Sequence, residues 1–132
     1  MYIFDGAMGT MLQAAGLEEG YCPELFNIER PEVVKDIHAQ YLQHGSDVIT
    51  TNTFGACGLK LEDYDLQDRV REINIAAVKV AKEAIAENKP TARVAGSMGP
   101  TGRFLQPLGN MSFDSIYDTY REQAEALIEG GV

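Results

Sequence analysis

The sequence predicts an α/β fold built from parallel strand–helix units. Three short apolar segments alternate with three stretches in which apolar residues recur at helical spacing. Each apolar segment runs into a polar, glycine-containing stretch, which is typical of the loop that leaves a strand. This alternation predicts βα units with right-handed crossovers, so that the strands lie side by side in one parallel sheet.

The three predicted strands are short. The first is the apolar segment Tyr2-Ile3-Phe4, which stops at the polar pair Asp5-Gly6. The second covers residues 47–51 (DVITT), which are rich in the β-branched side chains that favour strands. The third covers residues 92–96 (ARVAG).

Helix signals mark the stretches between and after these strands. Pro31 suits the first turn of one helix, because the N–H that proline lacks has no partner there, and Gly45 is a plausible terminator. A second helix ends before Pro90, and Ser112 can cap a third, which ends at Gly130-Gly131. Each helix has one face that is expected to be buried. In the first helix it consists of Val34, Ile37, His38, Tyr41 and Leu42, and in the second of Val70, Ile73, Ala77, Val80, Ala81 and Ala84. In the third helix it consists of Ile116, Tyr120, Ala124 and Leu127.

The remaining segments are expected to be loops, and the whole chain to be one structural unit. Residues 16–27 and 97–111 carry glycine and proline without a regular apolar period. Val132 follows the glycine pair as the first residue of a fourth strand would. We therefore expect residues 1–132 to be the first part of a larger domain, truncated before strand four.

Composition excludes several classes of function. The formal net charge is −9 and no cluster of basic residues offsets it, which argues against binding to nucleic acid. No apolar run is long enough to span a membrane, and no secretory signal precedes the first strand, so a cytoplasmic location is expected. Cys22 and Cys57 are then expected to be reduced thiols.

The strand ends predict where a ligand would bind. In parallel α/β folds, ligands bind beyond the carboxyl ends of the strands. These ends read DGAMGT (residues 5–10), TNTFG (51–55) and GSMGPTG (96–102). All three are small, polar or glycine-rich and would lie on one face. This convergence predicts a binding site, with simple chain turns as the alternative.

Asp5 has two interpretations. Its carboxylate can cap backbone N–H groups of the following loop, or it can meet a cationic group of a ligand. In the second case the backbone of residues 6–9 offers N–H donors to an anion. A carboxylate beside such donors suits an ammonium and a carboxylate on one carbon better than a phosphate, which Asp5 would repel. The dinucleotide-binding glycine pattern is absent.

Three motifs in register, DGAMGT, GSDVITTNTFGA and GSMGPTG, resemble the N-terminal part of the homocysteine S-methyltransferase family. The segment PELFNIERPEVVKDIHAQYLQHGSDVITTNTFGA looks like the homocysteine-binding domain of the cobalamin-dependent methionine synthases in that family. The resemblance implies a (β/α)₈ TIM barrel, which typically needs about 250 residues, so this chain would hold its first three βα units. It also implies methyl transfer to the thiol of homocysteine, in which a zinc-activated thiolate attacks methylcobalamin to form methionine.

The resemblance assigns substrate-binding residues but no catalytic residue. They are Asp5, for the amino group of homocysteine; Gly6, Ala7 and Met8, whose backbone would hold its carboxylate; Asn52 and Thr53, at the second strand end; and Ser97 and Gly99, in the loop after the third strand. For Thr53 and Ser97, ordinary hydrogen bonding within the loops is the alternative.

Zinc and cobalamin are implied for the parent enzyme, and neither is expected to be bound by this chain alone. The three zinc-ligating cysteines of the family match no position here, and Cys22 and Cys57 do not form a C-x-x-C pair. Of the two histidines, His38 is expected to pack at the helix–sheet interface and His44 to lie at the surface.

Two other readings of function stay open. Related enzymes transfer a methyl group from betaine or S-methylmethionine instead of methylcobalamin. Alternatively, the isolated chain is a non-catalytic half-barrel that self-associates through open sheet edges. The expected partners are homocysteine and the cobalamin and folate domains of the parent protein.

Overall fold

A small parallel sheet organises the fold in the computed structural model, which describes residues 1–132. Strand β1 (Val48–Thr50) pairs in parallel with β2 (Arg93–Ala95), with Val48 opposite Arg93. On the other edge of β1, Phe4 forms a single parallel bridge to Val48. The three predicted strand segments therefore lie side by side, with the middle segment of the sequence in the centre.

The first predicted strand is wrong in its extent, because residues 2–4 contribute only that one bridge. The backbone N–H of Asp5 donates to the Val48 carbonyl at 3.0 Å, and the N–H of Asp47 donates to the Ile3 carbonyl at 2.7 Å. The outer edge of this segment has no pairing strand, and Tyr2, Ile3 and Phe4 are all more than half exposed. Residues 2–4 are paired on one side only, and their parallel ladder with β1 does not extend beyond the single bridge.

The three predicted helices are confirmed, and several short helical segments were not predicted. The α-helices are α1 (Gly9–Ala14), α2 (Phe26–Glu29), α3 (Pro31–Gln43), α4 (Gly58–Leu61), α5 (Val70–Asn88) and α6 (Phe113–Gly130). Single 3₁₀ turns cover Pro23–Leu25, Glu62–Tyr64 and Gln67–Arg69. The prediction of a loop over residues 16–27 is therefore wrong at residues 23–27.

Packing rather than local propensity accounts for the short helices. A helix of four to six residues has little stability of its own. Leu12 of α1 and Phe26 of α2 are buried in one apolar cluster with Val34 and Ile37 of α3 and Val80 of α5. This burial holds both short helices against the longer ones.

Predicted end signals are confirmed at the long helices. Pro31 is the first residue of α3, and the Ser112 hydroxyl accepts a hydrogen bond from the Ser115 N–H at 3.1 Å at the start of α6. Gly131 follows α6 with φ of +97°, and Gly45 follows α3 with φ of +107°. Side chains with a Cβ rarely adopt this conformation, so glycine at these positions lets the chain leave each helix.

The core lies where α3 and α5 pack beside β1. Leu42, Ile49, Ala81, Ala84 and Ile85 form one buried cluster there. The predicted faces of α3 and α5 are buried except for Tyr41, which is half-buried. On α6, Leu127 is buried, whereas Ile116, Tyr120 and Ala124 are half-buried. No helix combines the length and apolar character needed to cross a membrane.

Candidate functional site

A cleft of about 340 Å³ opens at the carboxyl ends of the three parallel segments. It is lined by Gly6, Met8, Gly9, Leu12, Pro23, Glu24, Thr50, Thr51, Asn52, Thr53, Phe54 and Ser97. A larger groove of about 470 Å³ lies between α1 and α3, but none of its lining residues comes from a strand end. The strand-end cleft is the candidate site because residues from all three strand ends line it, as the topology predicts.

Five of the eight residues predicted to bind substrate line this cleft. They are Gly6, Met8, Asn52, Thr53 and Ser97. The other three, Asp5, Ala7 and Gly99, do not line it, although each is within two residues of one that does. The structure thus brings the three strand ends together, and the substrate contacts of all eight residues stay predictions.

Asp5 is tied to the end of β1. Its Oδ2 accepts the backbone N–H of Thr50 at 2.9 Å, and its Oδ1 accepts the Thr50 hydroxyl at 3.0 Å. Burial raises the pKa of the carboxyl, and the two hydrogen bonds from Thr50 act in the opposite direction. Because a carboxylate oxygen accepts more than one hydrogen bond, Asp5 retains capacity for a further donor.

The loop after Asp5 is positioned by α3. The Tyr41 hydroxyl donates to the Ala7 carbonyl at 2.7 Å. A Cβ on Gly6 would lie 3.0 Å from that hydroxyl oxygen, so glycine lets the loop pass close to the tyrosine. The chain then turns at Met8 into α1. The position of residues 6–8 is consequently set by a side chain that lies 34 residues further along the sequence.

Hydroxyl groups join the ends of β1 and β2. The Thr53 hydroxyl donates to the Ser97 carbonyl at 2.7 Å, and the Ser97 N–H donates to the Thr51 hydroxyl oxygen at 3.1 Å. The two threonine hydroxyls are 2.6 Å apart. The ordinary loop hydrogen bonds considered as an alternative for Thr53 and Ser97 are therefore present. They also hold both residues in the cleft wall.

Gly99 has a packing role. Its N–H donates to the Phe54 carbonyl at 2.9 Å. A Cβ on Gly99 would lie 2.6 Å from the same carbonyl oxygen, which is too close for any other residue. Glycine here lets the loop after β2 lie directly on the loop after β1.

Sequence reasoning missed Glu24, which lines the cleft with only 6 % of its surface exposed. Its Oε1 accepts the Gly55 N–H at 2.6 Å, and its Oε2 accepts the Cys22 thiol at 3.4 Å. Asn27 adds a second link, since its Nδ2 donates to the Glu24 and Asn52 carbonyls, each at 2.7 Å. Residues 22–27 have no regular apolar period, so nothing in the sequence marks these contacts.

Two buried amides on α5 and α6 support the cleft from the other side. Gln123 Nε2 donates to the Thr53 carbonyl at 2.8 Å, and Asn74 Nδ2 donates to the Ala56 carbonyl at 2.9 Å. Both side chains are completely buried. A polar residue on an otherwise apolar helix face was the available signal for each of them.

Comparison with known proteins identifies the family. The family model described as homocysteine S-methyltransferase matches residues 2–132. The chain belongs to the homocysteine S-methyltransferase family. Because the match extends over nearly the whole chain, the resemblance carried by the three strand-end motifs is confirmed.

Two curated family members are methionine synthases. The chain is 41 % identical to the one from Mycobacterium tuberculosis and 39 % identical to the one from Mycobacterium leprae, over 96 % of this chain in each case. It spans only 11 % of the length of either relative.

Solved structures of the homocysteine methyltransferase MmuM from Escherichia coli have the same fold. The oxidised form superposes with a TM-score of 0.80 at 25 % identity, covering all of this chain and half of MmuM. The metallated form gives 0.79 at 26 % identity, covering 99 % of this chain and 51 % of MmuM. The chain therefore corresponds to about half of this family member.

The residues of the present chain do not fit a zinc site. No three side chains of His, Cys, Asp or Glu come together. Both thiols are buried, and burial raises the pKa of Cys57 and raises that of Cys22 to about 12, with the Glu24 carboxylate reinforcing the shift at Cys22. Zinc binds thiolates, which such thiols do not readily form. His38 is buried within the core, away from the cleft lining.

Proposed function

We propose that this chain supplies the amino-acid-binding part of a homocysteine S-methyltransferase site, in which the homocysteine thiol is methylated to form methionine. The observation that carries the proposal is the cleft at three parallel strand ends, in a chain of this family. Five residues assigned from the family motifs line it.

The cleft lining and the residues directly beside it, Asp5 and Ala7, offer groups of both kinds that an amino acid requires. In this proposal Asp5 receives the ammonium group of homocysteine, using the hydrogen-bonding capacity that Thr50 leaves free. The backbone of residues 6–8 receives the carboxylate. Asn52, Thr53 and Ser97 form the wall against which the side chain lies.

Methylcobalamin is the proposed methyl donor. The 41 % identity to a methionine synthase supports this donor, because methylcobalamin is the donor that the resemblance to cobalamin-dependent methionine synthases implies. In the parent enzyme we propose that zinc lowers the pKa of the homocysteine thiol. Since these 132 residues do not fit a zinc site, zinc would be held by other parts of that enzyme, within a complete (β/α)₈ barrel. We propose that cobalamin is held by the cobalamin domain of the parent enzyme, as the family resemblance implies.

The decisive experiment separates the charge of Asp5 from its part in strand pairing. We expect Asp5→Asn, made in the complete natural polypeptide that carries these residues, to raise KM for homocysteine by about tenfold or more, through loss of a charge-assisted contact. The turnover number should change less, because methyl transfer occurs at the thiol end of the substrate.

Asp47→Asn is the matched control. Asp47 joins the same two segments at the opposite end of the pairing, where its Oδ2 accepts the Ile3 N–H at 3.0 Å. Asp5 is directly followed by Gly6 of the cleft lining, whereas no residue within two positions of Asp47 lines the cleft. We expect KM in this variant to stay within about twofold of wild type. Equal effects of the two substitutions on KM, or no effect of Asp5→Asn, would contradict the proposal.

A second candidate is a non-catalytic chain that self-associates. It is favoured by the exposure of Tyr2, Ile3 and Phe4 along the unpaired sheet edge, each between 52 and 59 %. Exposed apolar edges pair readily with another copy. Homocysteine-dependent methyl transfer by the complete natural polypeptide is compatible with this state of the isolated chain, so the two candidates are tested separately.

A further inference from the structure

The loop that follows β1 is anchored mainly by side chains from other segments. These contacts join the Asn52 carbonyl to Asn27, the Thr53 carbonyl to Gln123, the Gly55 N–H to Glu24 and the Ala56 carbonyl to Asn74. The anchors come from α2, α5, α6 and the 3₁₀ turn before α2. Each of these four loop residues is thus held by a distant part of the chain.

Glu24 differs from the other three anchors because it also lines the cleft. Its contact with Gly55 is short, at 2.6 Å between Oε1 and the amide nitrogen, and links residues 31 positions apart. A Cβ at residue 55 would lie 2.8 Å from the same oxygen, so the carboxylate and the glycine backbone fit closely. A buried carboxylate needs such hydrogen bonds to offset the loss of water.

We propose that Glu24 is a positioning residue for the amino-acid-binding cleft. By holding the Gly55 N–H, its carboxylate sets the position of Asn52 and Thr53 in the cleft wall. This inference rests on the proposed function of the cleft. Glu24 acts through the loop backbone and makes no contact with substrate in this role, which distinguishes it from Asp5.

Two substitutions separate the hydrogen bond from the charge. Glu24→Gln keeps an oxygen that can accept from the Gly55 N–H but removes the charge, whereas Glu24→Met removes both at similar size. The first readout is amide hydrogen exchange of the segment that contains Gly55, measured by mass spectrometry in the complete natural polypeptide. We expect Glu24→Met to speed exchange there by about tenfold or more, and Glu24→Gln to retain most of the protection.

The second readout is the KM for homocysteine, measured in the complete natural polypeptide. We expect Glu24→Met to raise KM by about tenfold with a smaller change in turnover number, and Glu24→Gln to raise KM by less than about threefold. Ile85→Ala is the matched control for lost stability, because Ile85 is buried in the apolar core cluster and does not line the cleft. It should lower the unfolding temperature without this rise in KM.

Gly55→Ala provides an independent variant if Glu24→Met does not fold, since the added methyl group would push the same carboxylate away. It should reproduce the rise in KM.

Unchanged exchange at Gly55 in Glu24→Met would overturn the positioning role, even in a protein without methyltransferase activity. A KM in Glu24→Gln as high as in Glu24→Met would also overturn it, because the charge itself would then be required. Absence of homocysteine-dependent activity in the wild-type polypeptide would instead reject the proposed function. The exchange measurement would still test whether Glu24 holds the Gly55 N–H, because it does not depend on activity.

Discussion

His38 should make the stability of this protein depend on pH. The side chain is fully buried on α3, and neither ring nitrogen has a hydrogen-bond partner. Burial lowers the pKa of the imidazole from its usual 6.5 to about 4, because the charged form loses its hydration. The folded protein therefore holds His38 neutral under conditions in which the unfolded chain protonates it.

The sign and size of the effect follow from this difference in pKa. As the pH falls below about 6.5, the unfolded state takes up a proton that the folded state does not, so stability decreases until the pH reaches about 4. At about 1.4 kcal/mol per pKa unit, the loss between about pH 7.5 and about pH 4.5 is about 2.5 kcal/mol. Carboxylates such as Asp47 and Glu72, whose pKa is lowered by Lys89 and Arg69, lose their stabilising contribution in more acidic solution.

Replacing His38 with leucine, which has a similar volume, isolates the imidazole. At about pH 7.5 we expect His38→Leu to be more stable than wild type by about 1–3 kcal/mol, because it removes a buried polar ring without partners. At about pH 4.5 its advantage should grow by about a further 2.5 kcal/mol.

Urea unfolding followed by far-ultraviolet circular dichroism measures the difference, since the chain has no tryptophan to report by fluorescence. His44→Gln is the control for removing a histidine, and its effect should be small at both pH values because the side chain is at the surface. An advantage of His38→Leu that stays the same at both pH values would refute the reasoning. It would mean that the folded protein accommodates a charged His38.

Two further predictions test the packing of the cleft loops and the open sheet edge. Gly99→Ala should destabilise the fold by about 1–3 kcal/mol in thermal or urea unfolding, because its Cβ would lie 2.6 Å from the Phe54 carbonyl oxygen. Gly9→Ala, where a Cβ has no neighbour within 4 Å, should be neutral or slightly stabilising, and equal losses in the two variants would contradict this account. The isolated chain should sediment as a dimer or larger species at micromolar concentration, and Ile3→Lys on the exposed edge should shift it towards monomer. A compact wild-type monomer under those conditions would count against self-association through that edge.

The long helices and the two strands were predictable because their patterns are local. The apolar faces of α3 and α5 recur at helical spacing, and the residues expected there are buried except for Tyr41, which is half-buried. Residues 47–51 are rich in β-branched side chains, and β1 lies within them. By contrast, α1 and α2 are too short to show a period, and their stability comes from the burial of Leu12 and Phe26 against the longer helices.

The candidate site was predictable only in part, for the same reason. The topology of parallel strands places three sequence motifs at one edge, so Gly6, Asn52 and Ser97 could be assigned to a common cleft from sequence. Glu24 and Gln123 could not be assigned, because their partners in the loop after β1 lie 31 and 70 residues away and no local pattern encodes those distances.

The amino-acid sequence by itself determined the order of the strands and the long helices, the acidic character of the chain and the family, since these depend on composition, period and motif. Tertiary structure decided which polar groups the cleft contains. It tied both oxygens of Asp5 to Thr50 and brought Glu24 into the wall beside Gly55. The physical reason is that backbone groups in a loop have no strand partner, so distant side chains must satisfy them, and only the folded chain determines which side chains reach them.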